Sequence, residues 1–299
     1  GREIPISDGH RVRWRESTRT LYGTFDQMGL APRPMPKMAD DAKCVSCGRC
    51  FLGCPTGAKW DARRFLAAAR TRGARVVTGT KVERLVAERG RAAGVVVRRG
   101  LLRRQVPADL IVLAAGGFGT PAILERSDIA CEPRLFVDPV LCVAAPWPGA
   151  LQNREVPMPF AAELDGYILS PYFDFLSFFF DRRWKAGPGD IVSLMIKFAD
   201  AAAGGVRNGR IRKPLLAADR DRLAGAVRLA EDVLARLGIP AARTFRGLLN
   251  AGHPGGTLPL TAASAPSLRD DRLPENVYVA DSTLFPAALG NPPSLTIMA

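Results

Sequence analysis

Leu110-Ile-Val-Leu-Ala-Ala115 is an unbroken apolar run, and the chain then continues Gly116-Gly117-Phe118-Gly119-Thr120-Pro121. A strand with one wet face alternates apolar and polar side chains, whereas an unbroken run suits a strand covered on both faces. Such a strand, closing on glycines and feeding a helix over Pro121–Ser127, is the repeating unit of a parallel α/β sheet. The glycines themselves read two ways. They permit tight packing of helix on strand, or they bring bare backbone close to a dinucleotide at a helix N-terminus.

The flanking sequence adds elements of the same class. Trp60–Gly73 carries Phe65, Leu66 and Ala69 at helical spacing, with Gly73 at the C-cap position. Ala74–Thr78, Lys81–Glu88 and Ala93–Arg98 read as strands, with β-branched residues in alternation. From about residue 131 to 250 the character changes, with Trp147, Trp184 and the aromatic stretch Tyr167–Phe180. That stretch suits a sheet wall facing an apolar cavity, and core packing serves equally well. Arg182, Arg183 and Lys185 beside it leave a membrane-facing patch as a third reading. Asp219–Gly238 is a helix by pattern, with Leu223, Val227, Ala230, Val233, Leu234 and Leu237 on one stripe and Gly238 ending it.

Four of the six cysteines fall at Cys44, Cys47, Cys50 and Cys54, followed by Pro55. The pattern is C-x2-C-x2-C-x3-C-P, the spacing with which thiolates of bacterial ferredoxins reach an iron–sulfur cube, and Gly48 and Gly53 allow the sharp turns it needs. A [4Fe–4S] cluster is the leading expectation. A structural zinc, disulfides and a metal-free packed loop remain as alternatives. Cys131 and Cys142 lie in apolar surroundings and read as buried thiols. Reduced cysteines in this number point to a cytoplasmic setting.

A formal charge of +13, from 42 Lys and Arg against 29 Asp and Glu, raises the question of an anionic partner. The excess is arginine scattered along the chain, no nucleic-acid motif accompanies it, and aromatics are only 7%, so nucleic acid is not expected as a partner. No apolar stretch is long enough to span a membrane, and the first residues lack a signal-peptide core. The chain opens at Gly1 rather than methionine and stops on the apolar run Thr296-Ile-Met-Ala299, which leads us to expect a piece of a longer sequence or one half of a split one.

Three blocks then occur in a fixed order. They are Asn250-Ala-Gly-His253-Pro-Gly-Gly-Thr257, Leu273-Pro-Glu-Asn-Val-Tyr-Val-Ala-Asp281-Ser-Thr-Leu-Phe-Pro286, and Gly290-Asn-Pro-Pro-Ser-Leu-Thr-Ile-Met-Ala299. With Gly57-Ala-Lys59, Gly73-Ala-Arg-Val, Val82, Gly94-Val95, Ala108-Asp109 and Ala114–Pro121, this order resembles the glucose–methanol–choline (GMC) flavoprotein oxidoreductases. Some branches of that family, including long-chain alcohol oxidases, carry a comparable cysteine-rich loop.

The resemblance implies an α/β plus α+β fold, in which a partial Rossmann-like FAD-binding domain joins an antiparallel-sheet substrate domain. Residues 1–130 would be the FAD-binding part, with the cysteine loop at 44–54. Residues 131–250 would form the substrate domain, and residues 251–299 would return to the FAD domain. It further implies oxidation of an alcohol, with His253 managing the hydroxyl proton while flavin accepts a hydride, and Asn291 orienting the substrate. Val82 would meet the adenine through its backbone. Ala115, Gly116, Gly117, Gly119 and Thr120 would line the dinucleotide, and Asp281, Ser282 and Pro293 would complete the cofactor side. A cluster at the cysteines would offer the electrons a one-electron exit to a redox partner.

Two departures qualify this picture. The family's opening G-x-G-x-x-G turn is not found, since Gly23 and Gly29 do not compose it, so an upstream segment or second subunit is expected to supply it. The slot for a second catalytic side chain falls on Pro292, with Asn291 one position early. The competing expectation is a non-catalytic, partial flavoprotein acting as an iron–sulfur or structural subunit. The aromatic middle points to an apolar alcohol as substrate.

Overall fold

The computed structural model describes residues 4–184 and 187–298, so residues 1–3, Lys185 and Ala299 of the readings above lie outside the described residues. Contacts divide the chain into two compact units. One holds the chain through Arg75 with Val140–Phe198 and Asp221–Asn250, and the other holds Val76–Pro139, Ala199–Arg220 and the chain from Ala251 onward. The boundaries expected at 130 and 250 compare with crossings at Val76, Val140, Ala199, Asp221 and Ala251, and the first 75 residues group with the middle of the chain.

The first unit is built on an antiparallel sheet. Its hydrogen-bonded order runs Phe245–Arg246, Pro139–Pro146, Ile191–Phe198, Tyr167–Pro171, Phe160–Leu164, Arg33–Pro34. Ile191–Phe198 is buried at every position, as befits a central strand covered on both faces. On the sheet pack Phe173, Phe175 and Trp184 with Cys142, Ile168 and Met195, so much of the aromatic middle is core. Phe179 and Phe180 at the end of the short helix Phe175–Phe180 remain exposed. Asp174 caps that helix, accepting from the Leu176 and Ser177 amides at 3.0 and 3.1 Å.

The long helix Ala217–Arg236 buries Val227, Ala230, Val233 and Leu234 of the six-residue stripe read from its sequence, and Ala226 besides. A helix not foreseen, Glu16–Gln27, buries Thr18, Leu21, Thr24 and Phe25. Its stripe is hidden in sequence because two of those four residues are threonines. Each has its hydroxyl satisfied, Thr18 on the distant Glu155 carboxylate at 2.9 Å and Thr24 locally on the Thr20 carbonyl at 2.9 Å.

The second unit contains a three-strand meander, Lys81–Glu88, Arg91–Arg99 and Leu102–Pro107, paired antiparallel throughout. The third of these strands is polar and exposed, which is why its sequence did not announce it. Ile111–Leu113 pairs in parallel with Val277–Val279. Leu85, Ile111, Leu113, Leu124, Val277 and Val279 share one core.

Three local expectations change. Ala74–Thr78 is not a strand, because its backbone finds no ladder partner. The helix near residue 63 spans Arg63–Thr71 and buries none of its residues, so its apolar stripe is not a core face. The apolar run at 110–115 is parallel as expected but not covered on both faces, for Leu110 is 60% and Val112 is 52% exposed. Among the described residues it has one strand neighbour, and its other side opens on a cavity.

Candidate functional site

All of the cofactor positions expected from sequence lie in the second unit. The helix after the apolar strand begins at the glycines themselves, spanning Gly116–Glu125, so Gly116, Gly117 and Gly119 form its first turn and Pro121 sits inside it. Asp281, at the end of Val277–Val279, closes that turn. The Gly116 amide and the Thr120 hydroxyl donate to Asp281 Oδ2 at 2.9 and 2.6 Å, while the Thr283 amide donates to Oδ1 at 2.9 Å. Thr120 Oγ1 in turn accepts from the Ala115 amide at 3.1 Å. A carboxylate at a helix N-terminus is favoured by the exposed amides there. Ser282 is buried and donates to the Pro254 carbonyl at 2.6 Å. Gly117 is required for a steric reason, since a Cβ there would collide with the backbone of Pro254 and Gly255.

Beside this turn lies a cavity of about 800 Å³, lined by Val82, Val95, Val112, Ala115, Phe118 and Gly119, with Lys81 and Arg126 supplying cationic groups. Three residues expected to meet the dinucleotide (Val82, Ala115 and Gly119) therefore share one wall. An apolar cavity of this size with a few convergent cations is of the right scale and chemistry for part of a dinucleotide. The residues fit FAD in that sense.

His253 belongs to a loop fastened to Leu135–Asp138. Its amide donates to the Val137 carbonyl at 3.2 Å, and Gly255 pairs with Phe136. The imidazole side chain is 29% exposed, with Nδ1 buried 3.4 Å from Oδ2 of Asp138. Asp138 is 1% exposed, and its Oδ1 accepts from the Gly290 amide at 3.2 Å. One carboxylate thus lies against the His253 ring and holds the residue preceding Asn291, and Asn291 itself is half-buried. Pro293 is buried one turn further on. Asp138 and Asp200 carry no motif visible in sequence. Only the unusual placement of two aspartates within apolar surroundings would have drawn attention to them.

In the first unit Cys44, Cys47, Cys50 and Cys54 are four free, half-buried thiols. Among the described residues no group of three or more His, Cys, Asp or Glu is placed to hold a metal ion, though Cys44, Cys47 and Cys54 all act electrostatically on Cys50. The loop is organised by other contacts. The Lys59 amide donates to Cys54 Sγ at 3.4 Å and Lys59 Nζ to the Cys50 carbonyl at 3.1 Å. Gly48 and Gly53 do take the left-handed turns expected of them, at φ +72° and +119°. Burial pushes the Cys50 thiol up. At Cys54 burial is the largest single effect and acts upward, but hydrogen bonds from the Lys59 amide, the Thr56 hydroxyl and the Thr56 and Ala58 amides together outweigh it and bring the thiol to about 7. Burial lifts Cys131 to about 11 and raises Cys142 strongly, so both are inert neutral thiols. No described helix is long and apolar enough to cross a membrane.

Comparison with known proteins gives likenesses in sequence and in fold. A family model described as GMC oxidoreductase matches residues 3–141. A GMC-type oxidoreductase of Mycobacterium tuberculosis is 29% identical over 94% of this chain and 52% of its own length. A protein of Methanocaldococcus jannaschii is 26% identical over 92% of this chain and 70% of its own. The chain thus spans about half the length of the first of these curated relatives. In structure, pyridoxine 4-oxidase from Mesorbium loti superposes with a TM-score of 0.69 at 17% identity, covering 99% of this chain and 70% of that one. An FAD-dependent oxidoreductase from Chaetomium thermophilum gives 0.61 at 14%, covering 95% and 70%. At these identities the structures speak for the fold alone, a mixed α/β architecture with antiparallel sheets.

Proposed function

Because the chain belongs to the GMC oxidoreductase family, we propose that it oxidises the CH–OH group of an apolar alcohol with FAD as cofactor and His253 as base. FAD, when bound, supplies the acceptor for the hydride that leaves carbon. The residues of this chain do the rest. His253 Nε2 takes the hydroxyl proton as the carbonyl forms, and Asn291 orients the substrate oxygen. Val82, Ala115, Gly116, Gly117, Gly119 and Thr120 hold the cofactor side, with Asp281, Ser282 and Pro293 bracing it.

The observation that carries this reading is the contrast between the chain's two histidines. His10 is 2% exposed, and both its ring nitrogens are engaged, Nε2 with the Met35 carbonyl and Nδ1 with Trp14 Nε1, each at 3.0 Å. His253 keeps part of its ring open and sets the other part against a buried carboxylate. That contrast supports reading His253, rather than His10, as the base.

The reading extends to a further segment, on this chain or another, that completes the flavin site. The open side of Ile111–Leu113 and the exposed Leu110 and Val112 support it. Onward transfer through a [4Fe–4S] cluster at the four cysteines to a redox partner rests on their spacing alone, and iron and acid-labile sulfide determination on the protein decides it. Six unpaired thiols suit a reducing, cytoplasmic location.

The direct test is anaerobic reduction of the flavin band, near ~450 nm, with benzyl alcohol as the probe. Changing His253→Gln is expected to slow reduction by roughly 10²–10⁴ with flavin content unchanged. Equal rates would remove His253 from the mechanism. Protein that is colourless and takes up no FAD would favour the non-catalytic subunit instead.

A further inference from the structure

We propose that Asp138 is the positioning residue for His253, fixing the imidazole with its proton on Nδ1 and leaving Nε2 bare toward the reacting group. The proposal deepens the reading of His253 as a base and rests on it for its catalytic consequence. An ionised carboxylate only accepts hydrogen bonds, so the ring nitrogen that faces it must be the one carrying hydrogen, which makes Nε2 the basic nitrogen of the neutral ring. His253 Nδ1 is buried and makes no hydrogen bond, with Asp138 Oδ2 3.4 Å away. Such contacts are often long before substrate binds and tighten in the loaded site.

The surroundings of Asp138 are built to hold that carboxylate in place. Its backbone sits at φ +48°, a left-handed conformation that side chains rarely adopt and that persists only where neighbours over-determine it. Here the neighbour is a second buried carboxylate. Asp200 Oδ1 accepts from the amides of Val137 and Asp138 at 3.0 and 2.9 Å. Asp200 is itself anchored by Lys213, whose Nζ lies 2.6 Å from Oδ2 at 10% side-chain exposure. A chain of contacts therefore runs Lys213, Asp200, the Asp138 backbone, the Asp138 carboxylate, His253. The other Asp138 oxygen, holding the Gly290 amide, ties the Asn291 loop to the same group.

The test reads the imidazole directly and does not depend on flavin. With two histidines in the chain, a ¹⁵N-histidine-labelled protein gives two imidazole patterns, assigned by His253→Gln. At alkaline pH, where both rings are neutral, wild-type His253 is expected to show the Nδ1–H tautomer. In Asp138→Asn the side-chain amide can donate to Nδ1, and the pattern is expected to move to Nε2–H, with the His10 pattern unchanged as the mark of an intact fold. The rate of flavin reduction by benzyl alcohol is then expected to fall at least 100-fold, recovering in part in Asp138→Glu.

A wild-type His253 that is mainly Nε2–H overturns the proposal without any variant. So does an Asp138→Asn protein whose His253 tautomer is unchanged. If the tautomer shifts but His253→Gln leaves reduction untouched, the positioning stands and the base assignment fails, so the two failures are distinguishable.

Discussion

Removing the Asp281 carboxylate separates a structural from a cofactor-facing role for this residue. In Asp281→Ala three donors lose their acceptor together, namely the Gly116 amide, the Thr120 hydroxyl and the Thr283 amide, at 2.9, 2.6 and 2.9 Å. A hydrogen bond to a charged group contributes about 1.5–3 kcal/mol. The three share one half-exposed group, so they do not add, and the amides can regain water. We expect a loss of about 3 kcal/mol. Adding Thr120→Val, at a residue that is 0% exposed, should give a coupling of about 1–2 kcal/mol in a double-mutant cycle. Urea titration is the assay. All four tryptophans lie in the unit without Asp281, so tryptophan emission reports that unit while far-UV circular dichroism reports both. A loss below about 1 kcal/mol with no coupling to Thr120 would refute the reasoning. FAD retention lost at unchanged stability would then assign the carboxylate to the cofactor.

Two further outcomes follow from polar groups drawn out of water, Lys37 half-buried and Asn276 buried. Burial lowers Lys37 from 10.5 to about 8. Between those values the unfolded chain still binds a proton that the folded chain has released, so stability should rise from pH 8 toward 10.5. Lys37→Met is expected to flatten that slope in urea titrations across the range and to add about 1–3 kcal/mol near neutral pH. Asn276 accepts from the Ala92 amide and donates to the Ala92 and Asp109 carbonyls, all at 2.8 Å. Asn276→Ala strands a buried amide and should cost about 2–4 kcal/mol by the same titration; a cost under about 1 kcal/mol would show that water replaces the side chain.

The readable part of this chain was what short-range physics imposes. Leu110–Ala115 followed by glycines reads as a strand feeding a helix, because a short apolar run bounded by glycines suits a strand, and the fold has that strand at Ile111–Leu113 and the helix at Gly116–Glu125. The stripe from Leu223 to Leu237 could only be a helix with one covered side. The His253, Asp281 and Gly290 blocks were legible as a family pattern, whereas the steric need for glycine at 117 comes from the Pro254 carbonyl far along the chain.

What tertiary structure decided are the groups whose meaning comes from a distant partner. Asp138 looks like any aspartate before a proline until Asp200, Gly290 and His253 are gathered round it. Asn276 carries no signal of its own until it is found joining Ala92 to Asp109. The cysteine spacing suggested a cluster, and among the described residues no group of side chains is placed to hold a metal ion. Periodicity and local sterics act over a turn or two of chain. A buried charge is placed by whatever the whole fold brings to neutralise it, and that sum is written nowhere in its own neighbourhood.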